Sequence, residues 1–169
     1  MVKNLIHQII ALANDAGKPV TVDPKFNNFF EYKSITVFKP NRKEAEEALG
    51  IRLQNEDDIQ NAGKLLLERL QAKNVLLTLG ERGMSLFESD GTSSHVPTKA
   101  RNVADVSGAG DTVIASLTMS LVAGATIREA AAVANHAGGV VCGYVGIVPI
   151  DKGELRQSVL ADEDSVPKV

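Results

Sequence analysis

At 169 residues, 44% apolar and 23% charged, the chain has the size and composition of one ordinary globular domain, and its apolar runs fall well short of the roughly 18 continuous positions of a membrane-spanning helix. One cysteine, Cys142, and three scattered histidines, His7, His95 and His136, exclude an internal disulfide and offer no zinc-ligand spacing. With a net charge of −3, no tryptophan and 4% aromatics, neither bulk attraction to nucleic acid nor a base-stacking surface is expected, so an anionic ligand must be held locally.

The first segment, 2–16, places Leu5, Ile6, Ile9, Ile10 and Leu12 at helical spacing before a stop at Gly17 and Pro19. Its polar interruptions do not suit a secretory signal, and a cytoplasmic protein is expected. Strands follow at 19–23, with Asp23 at the carboxyl end, and at 34–38. The aromatic-rich loop between them is expected to pack its rings onto the body. After Lys39 and Pro40, residues 41–50 read as a helix with Asn41 as N-cap, Glu44 three residues on and Gly50 at the stop. A second helix spans 55–72, its acidic first turn suited to the helix dipole. A strand at 74–79 leads through Gly80 and Gly83 into 84–87, and Asp90-Gly91 turns the chain again into 92–96, an antiparallel hairpin.

The last third is rich in alanine and glycine. One helix is expected from Asp111 to Gly124; a capping box at Thr126 and Glu129 opens another, running to about Cys142. Residues 161–169 read as a flexible tail. The alternation predicts an α/β fold, a mostly parallel sheet flanked by helices with an antiparallel hairpin at an edge.

The most informative run is 104–112, where Gly108, Ala109 and Gly110 precede a strong helix. Backbone N–H groups of Gly108, Ala109, Gly110 and Asp111 are expected to point outward at the positive end of the helix dipole, a cradle for phosphate oxygens. A carboxylate in such a cradle makes chemical sense if Asp111 accepts the proton of a hydroxyl attacking that phosphate. The rival local reading is a tight turn with Asp111 as N-cap. The run lacks the Gly-Lys-Ser/Thr end of a P-loop, and Val113 replaces the third glycine of a dinucleotide fingerprint.

Residues 105–112, Asp-Val-Ser-Gly-Ala-Gly-Asp-Thr, resemble the C-terminal signature of the ribokinase-like (PfkB) family of carbohydrate kinases. Three further elements resemble that family in the same order: Asn41-Arg42-Lys43-Glu44, the strand and turn from Leu77 to Gly83, and the helix segment from Ala134 to Gly139. The resemblance implies a three-layer fold and a kinase using ATP and Mg²⁺, with Asp111 as catalytic base. It assigns Asn41, Arg42, Lys43, Glu44, Thr78, Gly80, Gly83, Gly108, Ala109, Gly110 and Asn135 to the nucleotide, and Glu44 to the metal. Asp105 is implied either to organise its loop or to help hold a monovalent cation. Residues 20–25 and 138–146 look most like the heptose 7-phosphate kinase branch, implying the anomeric hydroxyl of D-glycero-β-D-manno-heptose 7-phosphate as acceptor in ADP-heptose and lipopolysaccharide core synthesis. Lys25 is a candidate contact to an anionic substrate.

Each assignment has a structural counterpart. Asn41 and Glu44 are also a sensible cap pair, Thr78 an ordinary strand residue, Gly80 and Gly83 turn glycines, and His136 and Cys142 packing residues. Asn135 has no helical advantage mid-helix, which favours a ligand or loop contact. Residues 1–160 match the C-terminal portion of the family's kinase domain, so the expectation is a truncated chain. An alternative is a nucleotide- or anion-binding half-domain without turnover that needs a partner. Small-molecule sugar phosphate and ATP are the expected partners, with neither nucleic acid nor membrane, and self-association through an exposed sheet edge is expected.

Overall fold

The structure is a computed structural model that describes residues 2–99 and 103–163. It divides into two compact units, residues 1–97 and 98–169.

The first unit is built on a five-stranded sheet in sequential order: β1 (Thr21–Val22), β2 (Val37–Phe38), β3 (Asn74–Thr78), β4 (Met84–Glu88) and β5 (Ser93–Val96). β1 to β3 run parallel, with Val22 beside Phe38 and Phe38 beside Val75; β3 to β5 are antiparallel, the edge hairpin expected from Asp90-Gly91. The sheet is therefore mixed, two parallel pairings and two antiparallel. Period-2 alternation turns Val75, Leu77 and Phe87 to one face, where they join Ile59, Ala62, Leu66 and Leu70 of a long helix in a continuous apolar core. That helix, α3 (Glu56–Leu70), follows α1 (Val2–Asp15) and α2 (Arg42–Leu49). Gly63 sets its approach, since a Cβ built there would lie 2.5 Å from ring carbons of Phe87. The aromatic connection packs inward as expected: Phe29 meets Phe30 and Phe38 edge-on at 5.1 and 4.9 Å.

α1 buries only one face. Ile10 enters the core, whereas Val2, Leu5, Ile9 and Leu12 lie more than half exposed along the other side. No helix among the described residues is long and apolar enough to cross a membrane.

The second unit contains α4 (Ala109–Val122), α5 (Ile127–Val141) and α6 (Lys152–Glu163). α4 begins two residues before the expected Asp111, because Gly108 adopts a left-handed φ of 78° and starts the helix immediately after itself. α5 opens on the expected box: Glu129 N–H donates to Thr126 Oγ1 at 3.3 Å, and Glu129 Oε2 accepts from Thr126 N–H at 2.8 Å. Small residues bring α4 and α5 together, to the point that a Cβ on Gly138 would sit 2.8 Å from Val113 Cγ2. Ala161–Glu163, placed in the tail by sequence, are the last residues of α6; residues 164–169 of that tail lie outside the described residues.

Candidate functional site

In the first unit, the carboxyl ends of the parallel strands gather several of the residues singled out by sequence. Thr78 closes β3 and bridges to Asn41, its N–H donating to Pro40 O at 3.0 Å. Asn41 caps α2 in a reciprocal box: its Oδ1 accepts from Glu44 N–H at 2.9 Å, and Glu44 Oε2 accepts from Asn41 N–H at 2.8 Å. The capping and ligand-binding assignments are compatible. The box uses one atom of each side chain, and the Asn41 amide Nδ2 and Glu44 Oε1 make no hydrogen bond among the described residues.

Arg42 and Lys43 differ. Arg42 Nε is engaged by Glu46 at 3.1 Å, while Lys43 is 84% exposed and 3.9 Å from Glu47, a separation that leaves its ammonium available to an anion. Beyond β3, Gly80 and Gly83 take φ values of 64° and 83°, so this turn needs both glycines. The turn is closed by Leu79 N–H to Gly83 O at 2.8 Å and Gly83 N–H to Gly80 O at 3.0 Å.

In the second unit, Gly108 opens α4 without any side-chain cap. The expected cradle is revised in one respect: Ala109 N–H donates to Val106 O at 3.2 Å and is used inside the loop. The N–H groups of Gly108, Gly110 and Asp111 take no backbone acceptor among the described residues. Asp111 is the third residue of the helix and not its N-cap, which removes the plain-cap reading. Its side chain is exposed and makes no hydrogen bond or ion pair among the described residues.

Asp105 shapes this loop. Its Oδ1 accepts from Ser107 N–H at 2.9 Å and its Oδ2 from Gly146 N–H at 3.1 Å, fastening the segment before α4 to the segment after α5. The Ser107 backbone bond above all, aided by the Ser107 side chain and Gly146, holds this carboxyl below the usual range. Of the two roles implied for Asp105, this geometry is the loop-organising one. Among the described residues, no group of three or more His, Cys, Asp or Glu side chains is arranged to hold a metal ion. Glu44, with one free oxygen, fits a hydrated Mg²⁺, which keeps several waters and asks for only one or two carboxylates.

Asn135 is buried on α5. His136 is a packing residue: its Nδ1 lies 2.8 Å from Ser158 Oγ and its Nε2 3.6 Å from Asp162, which Lys99 also holds at 2.6 and 2.7 Å. Burial keeps this imidazole below its ordinary pKa, against the opposing pull of Asp162. Cys142 is buried, and its thiol is raised by burial and by the charge of Asp105. Lys25 stands exposed just after β1. Sequence reasoning left two residues of the carboxyl edge without a joint role, Asp23 and Lys39, which form an ion pair at 3.1 Å. The available signal was that each directly follows a strand.

Residues 3–151 match the pfkB family of carbohydrate kinases. The bifunctional protein HldE of Syntrophotalea carbinolica is 38% identical over 159 residues, covering 94% of this chain and 32% of the relative. HldE of Geobacter metallireducens is 43% identical over 155 residues, 92% of this chain and again 32% of the relative. The chain thus spans about a third of the length of these curated relatives. Among solved structures, Arabidopsis thaliana ribokinase, determined with ribose and ATP, superposes with a TM-score of 0.83 at 24% identity, over 93% of this chain and 52% of the other. Escherichia coli phosphofructokinase-2 superposes at 0.82 with 22% identity, over 95% and 52%. These likenesses establish the ribokinase-like α/β fold. The match over residues 3–151 and the identity to the HldE proteins give the family: the chain belongs to the pfkB family of carbohydrate kinases.

Proposed function

We propose that this chain is the nucleotide-handling and catalytic part of an ATP-dependent sugar kinase that transfers the γ-phosphoryl group to the anomeric hydroxyl of D-glycero-β-D-manno-heptose 7-phosphate, a step toward ADP-heptose and the lipopolysaccharide core. One observation carries the reading. A glycine with φ of 78° opens α4 with no side-chain cap, and an exposed, unpartnered Asp111 stands in its first turn. The HldE relatives, at about 40% identity, support the choice of heptose.

In this reading Asp111 accepts the proton of the attacking hydroxyl, and the N–H groups of Gly108 and Gly110 receive the phosphate oxygens on which charge develops. Ala109 shapes the cradle through its bond to Val106 O. The free Asn41 amide and Lys43 ammonium serve the nucleotide phosphates, with Thr78, Gly80 and Gly83 forming the edge on which the nucleotide rests, and Asn135 contributing from α5. Arg42 steadies α2 through Glu46. Mg²⁺, held through Glu44, would neutralise phosphate charge.

The exposed α1 stripe and the two-residue β1 edge favour a second reading of the same site: it binds nucleotide, and turnover requires further polypeptide or a second copy docked on these surfaces. Thermal denaturation with millimolar Mg-ATP, paired with an ADP-release assay on the heptose phosphate, tests both readings. Stabilisation with turnover supports the kinase, and stabilisation alone supports the binding module. Absence of both removes the nucleotide site.

A further inference from the structure

Among the described residues, the ion pair between Asp23 and Lys39 is the one charged pair at the sheet's carboxyl edge that the proposed mechanism leaves unused. Both residues lie one position beyond the paired Val22 and Phe38, at the ends of adjacent parallel strands, and Lys39 N–H donates to Val22 O at 2.8 Å. The Lys39 side chain is 3% exposed, with Nζ 3.1 Å from Asp23 Oδ1; the Asp23 side chain is 22% exposed. Asp23 Oδ2 makes no hydrogen bond or ion pair among the described residues.

Stability is a poor reason for such a pair. Removing an ammonium and a carboxylate from water costs several kcal/mol per ion, and well-packed apolar replacements are often neutral or better. What the geometry achieves is orientation. Lys39 is too buried to meet a ligand itself, but it clamps one oxygen of a partly exposed carboxylate and leaves the other open. The clamp stands where ligands of parallel α/β sheets bind, outside the carboxyl ends of the strands. On the same edge, Asn41 and Lys43 offer donors suited to phosphate, whereas a free carboxylate oxygen repels phosphate and accepts from hydroxyl groups.

We propose that Asp23 accepts a hydrogen bond from a hydroxyl of the acceptor sugar and that Lys39 is its positioning residue. The proposal rests on the sugar-kinase reading and assigns part of its acceptor recognition to this chain. Binding of D-glycero-D-manno-heptose 7-phosphate, of inorganic phosphate and of Mg-AMPPNP is measured by calorimetry on the 169-residue chain, alongside thermal melts. Asp23→Asn is expected to weaken the sugar phosphate by about tenfold or more, leaving inorganic phosphate and Mg-AMPPNP within about twofold. Lys39→Met should reproduce that loss and Lys39→Arg recover part of it. The double variant Asp23→Leu/Lys39→Met, which removes both charges, should keep the melting temperature while losing the sugar, a separation that a purely structural pair does not give.

Unchanged sugar affinity in the folded double variant overturns the proposal and leaves the kinase reading standing. Equal losses for sugar phosphate and inorganic phosphate overturn it in favour of Lys39 acting as a phosphate charge. A loss confined to Mg-AMPPNP overturns it in favour of a nucleotide role. A wild-type chain that binds Mg-AMPPNP but no sugar also overturns it, and one that binds neither overturns the kinase reading as well.

Discussion

The helix N-termini of this chain fall into two kinds. α2, α3 and α5 are sealed by reciprocal boxes, Asn41 with Glu44, Asn55 with Asp58 and Thr126 with Glu129, which satisfy donors that a helix start leaves over. α4 begins on Gly108, which has no side chain to offer, and its first-turn donors stay open. A cap is worth about 1 kcal/mol, so leaving one out forgoes stability at the site where donors are needed for something else. α2 falls between the two kinds: it is sealed, yet each cap residue keeps one atom free.

The sharpest way to break this contrast is at Asp111. Asp111→Asn keeps the shape of the α4 start but removes the proton acceptor, so turnover in the kinase that carries this chain should fall by about 10²- to 10⁴-fold with Mg-ATP affinity nearly unchanged. Normal turnover would show α4 to be merely an uncapped helix. Gly108→Val attacks the open donors directly. A side chain at φ of 78° is strained, and its Cβ would lie 3.1 Å from Ile147 Cγ2, so we expect a loss of about 1–3 kcal/mol in urea unfolding together with weaker nucleotide binding. Equal ATP affinity in folded Gly108→Val would remove the cradle.

The sealed start of α2 allows a finer division. Asn41→Ala should cost about 1 kcal/mol and weaken nucleotide, whereas Asn41→Ser retains a capping oxygen and should weaken nucleotide with little loss of stability. If calorimetry finds the serine variant equal to wild type, the free amide has no ligand.

The smallest effect concerns the support of the second unit. Burial holds His136 below its ordinary pKa, and Lys99 beside Asp162 lowers that carboxyl. The unfolded chain therefore binds more protons on the acid side, so this contribution is present at neutral pH and declines as pH falls, first through the imidazole and then through the carboxyl. Urea midpoints measured from pH 7 downward should drop more steeply for wild type than for His136→Gln. Parallel slopes would show that the α5–α6 contact does not depend on this network.

Local signals were the legible ones. The boxes at Asn41 and Thr126, the Gly50 stop and the Asp90-Gly91 hairpin rest on residues within four positions of one another, and each forms as read. α6 escaped notice although Asp151 accepts from Glu154 N–H at 2.9 Å, an acidic cap three residues before its partner of the kind recognised elsewhere. The start of α4 was placed late because a left-handed Gly108 begins a helix without any polar cap to announce it. Contacts set by tertiary folding were not legible. Asp105 to Gly146 spans 41 positions and His136 to Ser158 spans 22, and no pattern in the intervening residues marks either pair.

Gly138 carries a consequence for how this protein can vary. Its bare Cα is the gauge that sets the spacing of α4 against α5, with Val113 two residues beyond Asp111 as the opposing tooth. An extra methyl group there would wedge the helices apart by some tenths of an ångström, close to the general acid–base residue, and a 1 Å misplacement can cost about 10² in rate. A substitution remote from any ligand would then be read as a catalytic defect in an enzyme that still folds and still binds nucleotide.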